Sequence, residues 1–221
     1  LALAVRISAA IAVVVVSCAA VQAEPSTNGF VVTVGLTFDG SVSSGATKAI
    51  AREEAADIWR GYGVEIAWDD DLAGEPALHL EVIIAGAKTE YADTARFVLG
   101  RTDLDAAGMA RGPIRVNSAA IEQLLDFRVT SALLRERELG RALGRVLAHE
   151  IGHALLGLPS YHDPEGLMRV TIPVDDLIQP DRRSVQLTDT SVNRLRDRMA
   201  CLSRNASAGS CTCVVRSGSK D

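Results

Sequence analysis

The chain has 221 residues, 48% of them hydrophobic but only 4% aromatic, with a formal net charge of −5 and a pI near 5.4. That length and apolar content suit one compact domain with a full core. The acidic balance, with no basic stripe interleaved with aromatics, argues against nucleic acid as a partner.

Residues 1–23 read as a secretory signal peptide: Arg6 is the positive start, residues 7–16 are the apolar core, and small residues precede a cut ahead of Glu24. The apolar run is short of the roughly 20 residues a membrane helix needs. A second processing route fits as well. The run Val15-Val16-Ser17-Cys18 resembles a bacterial lipobox, in which Cys18 would carry a lipid anchor. Both routes place the mature protein outside the cytoplasm of a bacterial host, secreted or on the cell envelope. The mature domain is expected over residues 24–202, with a flexible tail over 203–221.

Residues 30–38 (FVVTVGLTF) form a strand dense in β-branched side chains. Ser43 and Ser44 cap a helix to about Arg60, with Ala49, Ile50, Ala56 and Trp59 as buried positions. A glycine turn leads to a second strand, residues 64–68, closed by a solvated turn at Asp69, Asp70 and Asp71. Residues 78–85 (LHLEVIIA) are a third strand, in which His79 is read as structural. Residues 98–100 begin a short strand or turn. Residues 114–116 are a further strand, followed by a helix over 119–127.

A long helix is predicted over residues 131–156. Leu133, Leu134, Leu139, Leu143, Val146, Leu147, Ile151 and Leu155 give it an apolar stripe. Arg135, Glu136, Arg137, Glu138, Arg141 and Arg145 are expected on its polar face. Gly140, Gly144 and Gly152 each cost about 1 kcal/mol against Ala in a helix interior. Close packing against a neighbouring element explains all three.

Three of the chain's four histidines fall at its end and just beyond, at His149, His153 and His162. His149 and His153 are four residues apart, so their Cβ atoms lie about 5–6 Å apart on one helix face. Two imidazoles so placed can share one tetrahedral Zn²⁺. Glu150 sits beside the metal and can act as general base toward a water the metal activates. Gly157 and Pro159 stop the helix, which lets His162 return as a third ligand and leaves a fourth position open.

These residues resemble the metzincin clan of zinc peptidases, whose pattern is H-E-x-x-H-x-x-G-x-x-H followed by a methionine-containing turn. His149, Glu150 and His153 match it residue by residue, and Met168, in Gly166-Leu167-Met168, stands where the Met-turn falls. Gly157 comes one place late, and His162 follows His153 by nine residues instead of six. More closely, residues 142–169 are similar to a group of uncharacterised secreted bacterial proteins with a lengthened loop before the third histidine. The resemblance spans roughly residues 113–202. It implies an α+β, metzincin-like (zincin) fold: a small mixed, twisted sheet packed on the long HExxH helix, with a C-terminal helix. It implies one Zn²⁺ per chain and hydrolysis of a protein or peptide substrate. It also implies an edge strand that receives the substrate, for which residues 114–117 are the candidate; an ordinary internal strand is the alternative.

Asp163 is an alternative third ligand to His162, and Glu165 or a distant carboxylate a further one. Tyr161 is a candidate to support the oxyanion of a tetrahedral intermediate, or else a half-buried loop aromatic. Met168 has its own alternative as a core methionine. Residues 171–183 read as a loop containing proline and aspartate, and Thr188 caps a last helix. A disulfide from Cys201 to Cys211 or Cys213 suits an oxidising compartment. The leading functional expectation is a secreted zinc endopeptidase. A non-catalytic zinc-binding envelope protein and a zinc amidase acting on cell-wall peptides stand beside it. The oligomeric state is left open.

Overall fold

A computed structural model describes residues 30–40, 42, 44–69, 77–86, 98–126 and 131–208. The expected leader, the Cys18 lipobox, Asp70, Asp71, Cys211 and Cys213 lie outside these. Among the described residues no helix is long and apolar enough to cross a membrane.

The architecture is mixed α/β. Strands β1 (Phe30–Phe38), β2 (Val64–Trp68), β3 (Leu78–Ala85), β4 (Gly100–Arg101) and β5 (Ile114–Asn117) form one sheet in the order β2-β1-β3-β5-β4. Every pairing is parallel except β4 against β5. Helix α1 (Gly45–Arg60) crosses from β1 to β2, and α2 (Ser118–Asp126) follows β5 directly. Then come α3 (Ala132–Leu156), α4 (Val174–Ile178) and α5 (Asp189–Ala208). Along β3, Leu78, Leu80, Val82 and Ile84 are buried while His79 and Glu81 are exposed, so one sheet face carries the core. His79 lies on the other face, half exposed beside Glu81.

Caps fix the helix boundaries. Ser44 accepts from the Thr47 amide at the start of α1, and Asn117 accepts from the Ala120 amide at the start of α2. The Thr188 hydroxyl accepts from the Ser191 amide at the start of α5. Helix α3 ends where glycine and proline predict: Gly157 is left-handed at φ 68° and returns its N–H to the His153 carbonyl.

The α1–α3 contact is the backbone of the core. A Cβ on Gly140 would meet Ile50 at 2.8 Å, and one on Gly144 would meet the Ala51 carbonyl at 2.7 Å. One on Gly152 would lie 2.5 Å from the Met168 sulfur. With Ala148, whose carbonyl accepts from the Trp59 indole, these glycines form a groove at four-residue spacing in which α1 lies.

Five expectations are corrected. Ala49 is exposed and Ile50 part-buried, while the expected Ala56 and Trp59 are buried together with Thr47, Ala51, Glu54, Ala55 and Ile58, the face the glycine groove admits. Leu134 is 51% exposed, because the first turns of α3 project beyond the core. Arg145 is wholly buried. It pairs with Glu54 and donates to the carbonyls of Asp176, Gln179 and Asp181. Part of the loop over residues 171–183 is helix α4, too short to show a period. Finally, α5 continues to Ala208, beyond the expected boundary at residue 202. Cys201, on this helix, is disulfide-bonded.

Arg145→Ala should leave Glu54 buried with only Arg182 opposite, and strip three carbonyls of their donor. Chemical denaturation is expected to show a loss of about 3–5 kcal/mol.

Candidate metal centre

The site forms where three stretches meet: the last turns of α3, the loop 157–163, and the turn 166–169. Ligand atoms of His149, His153 and His162 lie within 4.8 Å of one another. The His162 ring stacks on His149 at 5.6 Å between centroids and meets the His153 ring edge-on at 5.0 Å. Among the described residues no other such group of metal-ligating side chains occurs.

Carbonyls set the tautomers of the two helical histidines. His149 Nδ1 lies 2.7 Å from the Leu167 carbonyl, and His153 Nδ1 lies 3.1 Å from the Leu158 carbonyl. A carbonyl only accepts, so both Nδ1 atoms carry hydrogen and both Nε2 atoms present lone pairs. Those two Nε2 atoms stand 3.2 Å apart. Two neutral imidazoles facing each other in this way repel unless a cation lies between them. Two ligands at about 2.0–2.1 Å in a tetrahedral shell stand about 3.3 Å apart. The residues therefore fit a metal ion, with the carbonyls as its outer hydrogen-bond partners.

Burial tunes the same groups. Desolvation, with His153 beside it, pushes the His149 pKa down from 6.5 to about 4. Desolvation also lowers His153. Both rings thus favour the neutral form that a metal needs. Desolvation pushes Glu150 up from 4.5 to about 7, against a lowering hydrogen bond from Thr102. Its Oε2 accepts from the Thr102 hydroxyl at 2.7 Å.

Met168 is fully buried beneath this turn of α3, its sulfur against Gly152. Its carbonyl accepts from the Asp163 amide at 2.9 Å, while the Leu167 amide donates to Gln186. Left-handed Gly166, at φ 75°, makes this tight reversal possible.

Asp163, expected as an alternative ligand, faces the other way. Its carboxylate accepts from the hydroxyls of Tyr161, Thr188 and Ser191 and is buried. It ties the His162 loop to the first turn of α5, where a carboxylate also suits the helix dipole. The Tyr161 hydroxyl, expected to support an oxyanion, is engaged with Asp163, and its ring lies under Arg194. Glu165 is exposed. Asp176 pairs with Arg169 just after the methionine turn.

Of the two readings of residues 114–117, the internal strand holds. Ile114–Asn117 is internal, paired with β3 on one side and β4 on the other. Among the described residues the edge beside α3 is β4. Sequence reasoning passed over Thr102, which belongs to no motif. Gly100 did carry a signal, since glycine inside a strand marks a close backbone approach. Arg198, buried on α5, donates to the Ala107 and Gly108 carbonyls and packs against Gly157. It thereby fixes the turn by which the chain leaves α3.

Asp163→Asn should loosen the loop that carries His162 and so weaken metal binding, measured by competition with a chelator. The pH dependence of the metal-free fold carries opposing contributions. His149 is protonated near 6.5 when unfolded and near 4 when folded, so stability falls as pH drops through that window. His153 acts in the same direction. Glu150 takes up its proton near 7 in the fold and near 4.5 unfolded, so it adds stability as pH drops. Metal-free Glu150→Gln should lose urea resistance more steeply than wild type between about pH 7 and about pH 5. No protein-family model matches this chain, and no curated protein matches it.

Proposed function

We propose that this protein is a zinc endopeptidase of metzincin type, acting outside the cytoplasm on protein or peptide substrates. The observation that carries the reading is the three-histidine cluster with Glu150, buried and raised to about 7, on the same helical turn. A carboxyl poised near neutrality is suited to accept and return a proton at working pH.

His149, His153 and His162 would hold the ion. When bound, zinc supplies Lewis acidity, which polarises a carbonyl and brings the pKa of a water near 7. Glu150 accepts the proton of the attacking water and passes it to the leaving amine. Thr102 steadies Oε2 during this exchange. The Leu167 and Leu158 carbonyls, by taking both Nδ1 hydrogens, would leave the Nε2 lone pairs free to hold the ion. Strand β4, beside Glu150, takes the receiving role expected of residues 114–117: an extended peptide can pair with its outer backbone groups. The signal-like leader supports the compartment.

A non-catalytic zinc site would call for a fourth protein ligand. Against it, the Asp163 carboxylate is bound to Tyr161, Thr188 and Ser191. The test is metal content and casein hydrolysis on wild type and Glu150→Gln. Both should hold one zinc per chain, and the variant should lose about 10²–10⁴-fold in rate. Chelation should stop wild-type turnover and added zinc restore it. Full turnover by Glu150→Gln would remove the general-base role. Zinc in both with no hydrolysis in either would move the reading to a non-catalytic envelope protein. Cleavage of peptidoglycan peptides but not casein would make it an amidase.

A further inference from the structure

We propose that Gly100 and Thr102 act together as a positioning clamp on Glu150, one holding a carboxylate oxygen and the other leaving space for the carboxylate. This rests on Glu150 being the proton acceptor of the preceding section.

Thr102 is 7% exposed, and its Oγ1 lies 2.7 Å from Glu150 Oε2 and 3.0 Å from the Glu150 carbonyl. A hydroxyl has one proton to give, and the shorter contact to a charged oxygen takes it. Oε2 is thereby fixed, and Oε1 has no hydrogen-bond partner among the described residues. Gly100 supplies the second half. A Cβ there would stand 2.5 Å from Oε1, 2.6 Å from Cγ and 2.8 Å from Cδ of Glu150. The carboxylate occupies the space in which any other residue's side chain would begin. Gly100 pairs in register with Val116 and is not among the glycines with positive φ, so backbone conformation does not demand glycine here. The approach of Glu150 does. The backbone of β4 is a wall, the Thr102 hydroxyl a hook, and between them one carboxylate orientation remains. Neither residue is a metal ligand, so the clamp acts through Glu150.

The experiment compares zinc-loaded Thr102→Val, Thr102→Ser and Gly100→Ala with wild type by zinc content, steady-state kinetics and crystal structure. Thr102→Val keeps the shape and removes the donor. It is expected to retain one zinc, lose about 10–100-fold in kcat and change KM less than about threefold. Thr102→Ser restores the hydroxyl and should recover kcat to within about threefold of wild type. Gly100→Ala should lower kcat as Thr102→Val does, again with zinc retained. The carboxylate of Glu150 should be displaced in the valine and alanine variants and in place in the serine one. Wild-type kcat in Thr102→Val, or an equal loss in Thr102→Ser, overturns the clamp. Should Thr102→Val fail to fold, Gly100→Ala with an unmoved carboxylate and full kcat overturns it equally. Should wild type hydrolyse no peptide, the endopeptidase reading fails separately. The crystal structures then decide: a displaced carboxylate supports the clamp, and an unmoved one overturns it.

Discussion

Two buried nitrogen lone pairs pointed at each other across 3.2 Å are the constraint on which this structure turns. Left alone they repel, and the low dielectric around them makes protonation of His149 an expensive remedy. The arrangement is stable only with a cation between the rings or with strong support from behind. That support is backbone: the carbonyl of Leu167 holds one ring and that of Leu158 the other. Each carbonyl belongs to a segment that is itself pinned, Leu167 through Gln186 and the 157–163 loop through Asp163. The geometry of two ring nitrogens is therefore set by residues as distant as Gln186 and Thr188.

The same economy governs the helix that carries the rings. Glycines at four-residue spacing let α1 approach α3, and the approach is sealed at one side by Arg145. A guanidinium this deep is tolerated because Glu54 and three carbonyls satisfy it. Those carbonyls lie at residues 176–181, just past the methionine turn. The burial of this charge, one turn before His149 on α3, thus also anchors the segment that follows the methionine turn. Packing and polar satisfaction converge on one helix.

The parts of this arrangement that were legible in the sequence are local ones. The i, i+4 histidines, the stop at Gly157 and Pro159, the return of His162 and the strands β1, β2 and β3 each follow from spacing, caps or alternation within a short window. What was not legible depends on distant partners. Arg145 reads as a surface residue on its own helix; only Glu54, 91 positions away, explains its burial. Asp163 has the chemistry of a ligand, and only Thr188 and Ser191 show where its oxygens go. The internal position of β5 depends on a two-residue partner, β4, too brief for any periodic signal. Ala49 could lie on either face of α1, since alanine suits both, and the glycine groove makes the choice.

The anchors of the His162 loop come late in the chain. Asp163 is held from Thr188 and Ser191, and the end of α3 from Arg198. Polypeptides emerge from the ribosome N-terminus first. A growing chain that has exposed its HExxH helix still lacks the residues that fix its third histidine. The site can be assembled only once the residues through Arg198 are out, so a chain stopped before them carries the motif without its anchors. The order of synthesis thereby sets when the three histidines can come together.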